Sequence, residues 1–270
     1  MTDAVSAGIR QALAAGRLSA TSAMTTRPGW PGAARALAGM DRRVCVGLHL
    51  DLTLGPPLGS MPSFAPAGAF PTIGRVVASA LRRTLPLEEI RQEIARQLDL
   101  FEVEFGSPPA FVDGHQHVHA LPGVAAALLD ALEGRKLAGR LWLRDPADRL
   151  SRILTRRLQV FKASAVAGLC HGFARQARAR GFGLNNGFSG FSSFDPARDY
   201  ADDFAHYLAA PGPRHLIMCH PGGADSEIAG LDAATLSRPR ELAFLLSDDF
   251  RKLLIKMGRS LAPGSEFTLS

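Results

Sequence analysis

The chain has 270 residues, of which 46% are hydrophobic and 21% charged, with a formal net charge of +6. That balance excludes a mainly disordered chain and suits a single domain over 1–270. No apolar run reaches the ~18 residues of a membrane span, and Met1–Val5 does not open a secretory signal. Three cysteines without a Cys-x-x-Cys pair make no disulfide framework and suit a cytoplasmic setting.

In chain order, residues 3–17 read as a helix. Val5, Ile9, Ala12 and Leu13 share one face, and Gly16 can end it. Asp3 reads as a residue of the helix N-terminus. A short strand follows at 18–24, then a loop and helix over 28–40. Residues 44–50 are nearly all apolar, as in a strand buried on both faces. Residues 55–71, rich in proline and glycine, read as an irregular loop. A strong helix spans 87–105, with Glu88 and Glu89 in its first turn and Gly106 and Pro108 behind it.

Short strands are predicted at 110–113 and 141–143, with a helix at 122–132 between them. Residues 147–180 read as mostly helical, 215–220 as a strand and 237–256 as helical, with a last strand near 265–269. Asp248 and Asp249 follow Ser247 and suit a helix start better than catalysis. Strands and helices alternate, which points to a parallel α/β barrel or a doubly wound sheet.

Charge is unevenly placed. Ten arginines and two lysines lie between Arg135 and Arg180 against Asp145 and Asp148, a local balance of +10, so the remainder is net acidic. Such a segment is either a solvated helical surface or a patch for an anionic partner. It lacks the interleaved aromatics and motif spacings of nucleic-acid binders, so no nucleic acid is expected.

Five of the eight histidines fall at predicted strand ends: His49, His115, His117, His119 and His220. The C-terminal ends of parallel strands are where α/β folds build their sites. In Asp113-Gly114-His115-Gln116-His117-Val118-His119, alternate side chains share one side if the strand continues. Burying so many titratable groups is costly unless a metal or a polar network pairs them. His220, on the turn before Pro221-Gly222, is placed to act as a general acid or base. Cys219 beside it reads as a small core residue.

Several segments together resemble the YdjC-like carbohydrate deacetylases, the ChbG/HpnK family. They are Ser19-Ala20-Thr21-Ser22, Gly47-Leu48-His49-Leu50-Asp51-Leu52-Thr53, the 113–119 cluster with Pro122, and Met218-Cys219-His220-Pro221 with Asp225. Arg240-Glu241-Leu242 is similar to the late Arg-x-x-Glu-Leu helix of that family. The resemblance implies a deformed (β/α) barrel of the polysaccharide-deacetylase type and hydrolysis of an N-acetyl group from an N-acetylglucosamine-containing glycoconjugate. It implies one divalent metal, with magnesium favoured by the family and zinc also suited to imidazoles. His49 and His115 match the metal histidines, and His220 matches the catalytic one. Asp51, Asp113, His117, His119, Arg144 and Asp225 are then substrate-binding or supporting residues.

One departure stands out. The family opens with a strand ending in Asp-Asp, and Met1–Val5 aligns after it. The expectation is a first strand missing through a start assigned too far downstream, since the other motifs are intact; the competing explanation is an inactive homologue. The chain as it stands is expected to bind metal weakly and to be nearly inactive.

The segment from Arg144 to Asn186, a basic helical insertion at about 145–184, leans toward the hopanoid-associated HpnK branch. That branch implies a hopanoid-linked amino sugar, handled peripherally at the inner membrane, with a chitooligosaccharide as the other substrate the family offers. An anionic membrane surface meeting 135–180 and a homodimer are the partner expectations. The alternatives are a metal phosphoesterase and an inactive, basic membrane- or RNA-binding module.

Overall fold

The computed structural model describes residues 2–40, 44–226 and 234–267. The chain opens with α1 (Asp3–Ala14), whose N-terminus Thr2 caps, with Asp3 in the first turn. Then come β1 (Ala20–Ala23), α2 (Trp30–Ala38) and β2 (Cys45–Leu50). Helices α3 (Ile73–Arg82) and α4 (Leu87–Phe105) follow the Pro/Gly-rich loop. Gly106, left-handed at φ 82°, ends α4. Next are β3 (Phe111–Gly114), a 3₁₀ segment at His115–Ala120, α5 (Val124–Gly134) and β4 (Trp142–Leu143). The basic stretch folds as α6 (Leu150–Arg156), α7 (Val160–Leu169) and α8 (Phe173–Ala179). The remaining elements are β5 (Gly183–Leu184), β6 (Phe188–Ser189), α9 (Tyr200–Leu208), β7 (Leu216–Ile217), α10 (Arg238–Leu246) and α11 (Asp248–Lys256).

The fold is mixed α/β. Five strands form one parallel sheet in the order β1-β2-β3-β4-β5, and β6 and β7 pair in parallel beside it. Strictly sequential parallel order is the winding of a (β/α) barrel rather than of a doubly wound sheet, whose order reverses at a switch point.

Alternation along the strands separates two environments. Val46, Leu48, Leu50, Val112 and Leu143 point into a large apolar cluster with Ile90, Ile94, Leu98 and Phe101 of α4. The opposite face carries Cys45, Phe111 and Trp142, which pack together with Phe267. The Phe111 and Trp142 rings stack at 4.3 Å. Gly47 makes this layer possible: a Cβ there would lie 2.5 Å from the Phe111 ring. The same face continues upward to His49 and Asp113, so the site stands directly on an aromatic floor.

Several expectations are corrected. The 237–256 helix is two helices, because Ser247 is extended and its side chain caps α11 through the Phe250 N–H. Residues 264–267 form a 3₁₀ turn rather than a strand, and 268–270 lie outside the described residues. The strand at 215–220 is regular only at Leu216–Ile217.

Candidate active site

His49 and Asp113 are partners in the β2–β3 register. Their side chains therefore leave the sheet side by side, and His49 Nδ1 lies 2.7 Å from Asp113 Oδ1. A carboxylate can only accept, so Nδ1 carries the proton and Nε2 the lone pair. Ser22 Oγ, one strand over, is 3.2 Å from the same Nδ1. This is the arrangement that turns a histidine into an oriented ligand, its far nitrogen presented and its near one anchored.

The other carboxylate oxygen of Asp113 meets Arg144 Nη1 at 2.6 Å. Burial would raise the Asp113 pKa, but the Arg144 guanidinium and the His49 imidazole hold it well below the usual carboxylate range. Arg144 is itself buried. It donates to the Gly114 carbonyl at 2.7 Å, lies 3.3 Å from His117 Nδ1 and sits over the Phe188 ring. Arg144 is thus a buried counter-ion to Asp113.

The histidine trio does not share one face. The strand stops at Gly114, and Gln116 and His117 take left-handed conformations at φ 50° and 63°. Two consecutive non-glycine residues there cost about 1–2 kcal/mol each, a strain concentrated beside the site. The turn sends the three rings apart. The His115 ring meets the His49 ring edge-on at 5.7 Å. His117 is buried between Phe188 and Phe191. His119 is fully buried and donates from Nε2 to the Arg144 carbonyl at 2.7 Å. Burial and the nearby Arg144 charge push His119 down to about 3, and lower His117 as well. Both are neutral props of the Arg144 segment, and His115 alone stays with His49.

Asp51 is a turn builder. Its carboxylate accepts from Thr26 Oγ1 at 3.0 Å and from the Thr53 and Leu54 N–H groups. Gln97 of α4 pairs with both backbone groups of Asp51, accepting at 3.0 Å and donating at 2.7 Å. These contacts fix the loop that leaves β2 just after His49.

His220 lies beyond β7, half-buried, with its ring 5.1 Å from the Phe194 ring. Its backbone is gripped from α10: the N–H donates to Glu241 Oε2 at 2.6 Å, and the carbonyl accepts from Arg238 Nη1 at 3.2 Å. The turn after it packs on α1, where the Gly223 N–H donates to the Ala4 carbonyl at 3.0 Å. Asp225 is half-buried in the same loop. Sequence reasoning did not assign Ser22, Arg238 or Glu241 any role. The signal available for the last two was the Arg-x-x-Glu spacing of 238–241, which puts both side chains on one face of a helix.

Among the described residues, no group of three His, Cys, Asp or Glu side chains is gathered as a metal cage. His49 and His115 are two imidazoles standing together there, their rings 5.7 Å apart, with His49 anchored by the Asp113 carboxylate.

The profile of the family described as YdjC-like protein matches residues 1–256. The chitooligosaccharide deacetylase of Yersinia pestis (strain Pestoides F) is 38% identical over 118 residues, 43% of this chain and 46% of that protein. That of Serratia marcescens is 37% identical over the same length. The matched stretch thus spans less than half of these relatives. The crystal structure described as a cellobiose-phosphate cleavage protein from Enterococcus faecalis V583 superposes with a TM-score of 0.76 at 21% identity, over 99% of this chain and 95% of that one. At that identity the likeness is one of fold.

Proposed function

The chain belongs to the YdjC-like protein family, and from that premise we propose that it is an amide hydrolase removing the N-acetyl group of an N-acetylglucosamine-containing glycoconjugate. The observation that carries the reading is the His49–Asp113 pair with His115 beside it, at the C-terminal ends of adjacent parallel strands. The relatives named chitooligosaccharide deacetylase support the same chemistry.

In this reading His49 and His115 hold one divalent metal, magnesium by family resemblance or zinc by donor type. When bound, such an ion supplies Lewis acidity at the amide carbonyl. Asp113 keeps His49 in the tautomer that presents Nε2, and Arg144 keeps Asp113 ionised. A water adds to the carbonyl carbon, the C–N bond breaks to leave acetate, and His220 gives a proton to the departing amine nitrogen. His117 and His119 hold the Arg144 segment, Asp51 holds the loop after His49, and Asp225 lies in the loop that follows His220.

For the substrate we favour a lipid-linked amino sugar of the hopanoid type, met at a membrane surface, over a free chitooligosaccharide. The support is the acid-poor segment of net charge +10 between Arg135 and Arg180. Among the described residues no helix is long and apolar enough to cross a membrane.

Acetate release is the test, measured with added Mg²⁺ or Zn²⁺ on chitobiose and on a lipid-linked N-acetylglucosamine. Release from the lipid-linked substrate in preference to chitobiose is expected. Phosphate release from a sugar phosphate without acetate release would favour a metal phosphoesterase instead.

A further inference from the structure

Helices α6 and α7 pack against each other and have two unlike sides. Their inner side is buried: Ile153 and Ala163 join Phe188 and Phe191 in one apolar cluster, and those two rings flank His117. Their outer side carries Leu150, Leu154 and Phe161, which are 59%, 52% and 89% exposed. A single exposed leucine needs no explanation, but three large apolar side chains on two adjoining short helices do.

Along the chain through α6 and α7 the formal charges are of one sign. No Asp or Glu occurs from Arg149 to Phe194. Arg152 and Arg156 are engaged by the buried Asp148, at 3.2 and 2.6 Å. Arg149, Arg157 and Lys162 are exposed beside the apolar residues. The face also adjoins the candidate site. Lys162 donates to the Ser192 carbonyl at 3.0 Å and lies 5.1 Å from the Phe194 ring, the ring that meets His220.

We propose that the outer face of α6–α7 docks on an anionic lipid bilayer, with Leu150, Leu154 and Phe161 entering the interface and Arg149 and Arg157 meeting headgroups. Exposed apolar side chains interspersed with cations along short helices are the pattern of an interfacial segment. A second copy of this chain is a poorer occupant, because a two-fold contact through this face would bring like charges together. RNA is poorer too, since Phe161 is the only aromatic residue in α6 and α7. The proposal rests on the deacetylase reading only for its purpose, which is to hold the site mouth at the headgroup plane. Docking itself is read without turnover.

The experiment is co-sedimentation of the whole protein at low salt with phosphatidylcholine vesicles, with and without phosphatidylglycerol. Binding is expected only with phosphatidylglycerol, weakening as salt rises. The pair Leu154→Ser with Phe161→Ser should lower vesicle affinity about tenfold or more at an unchanged Tm. Arg149→Glu with Arg157→Glu should do the same. Absence of binding to the anionic vesicles, or equal binding by both variant pairs, would overturn the proposal. So would a solution dimer that buries Phe161, or tighter retention on RNA than on vesicles. Docking without acetate release would count against the deacetylase reading alone.

Discussion

Asp113 divides its carboxylate between His49, through Oδ1 at 2.7 Å, and Arg144, through Oδ2 at 2.6 Å. One buried side chain therefore orients the imidazole and neutralises a buried cation. Asp113→Asn should weaken divalent-metal binding by about 10- to 100-fold, as loss of a ligand's orienting partner does. It should also lower unfolding free energy by about 3–5 kcal/mol, because Arg144 loses its counter-charge. Adding Arg144→Met should restore part of the stability and none of the metal affinity. Calorimetric metal titration and urea unfolding of the two variants check this.

Glu241 and Arg238 hold the two backbone groups of His220. If His220 delivers the proton, its placement sets kcat more than substrate affinity. Glu241→Leu should lower kcat by about tenfold or more with little change in KM, since small misplacements of a reacting group are costly. Glu241→Gln keeps an acceptor oxygen and should recover most of the loss. A parallel rise in KM, or no recovery by Gln, would show a different role.

His215 is a pH-dependent element of stability. Its Nδ1 accepts from the Gly212 N–H at 3.3 Å, so Nε2 carries the proton toward Ser189 Oγ at 2.8 Å. Burial, with Arg156 nearby, pushes it from 6.5 down to about 4. As pH falls below 6.5 the unfolded chain binds this proton first. The contribution is therefore complete above pH 6.5 and is lost progressively down to about pH 4. Its size is about 2 kcal/mol once partial exposure is allowed for. Urea unfolding between pH 4 and 7 should show a steeper loss in the wild type than in His215→Gln.

Gly47 bears on the floor beneath His49. A methyl group there would lie 2.5 Å from the Phe111 ring, so Gly47→Ala should destabilise by about 1–3 kcal/mol through overpacking. Combining it with Phe111→Leu should make the substitution less costly than it is alone. Thermal unfolding of the single and double variants measures the coupling.

Helix α4 was legible to the residue, because period, acidic first turn and Gly106 agree. The strands β2 to β4 were legible as apolar runs between glycines and prolines, and β1 as a short stretch of small residues after the first helix. Helices α3 and α9 carried no reading of their own from the sequence, and β5 and β6 are only two residues each, too short for an alternation to be visible. The histidine-rich motif announced a site but not its geometry. Alternation fails after Gly114, where Gln116 and His117 turn left-handed, and a turn of that kind carries no periodic signal. The pairing of Asp113 with His49 depends on strand register, and the grip of α10 on His220 joins segments about 20 residues apart. Neither is written in local sequence.

The central claim is that His49 and His115 together carry amide hydrolysis. It is tested most directly by acetate release from an N-acetylglucosamine conjugate with added divalent metal, using the wild-type protein alongside His49→Ala and His115→Ala. Acetate from the wild type is expected, with a loss of about a hundredfold or more in each folded variant if the two histidines hold the ion that activates the carbonyl. Acetate release by either variant at the wild-type rate, or none by the wild type, would contradict it.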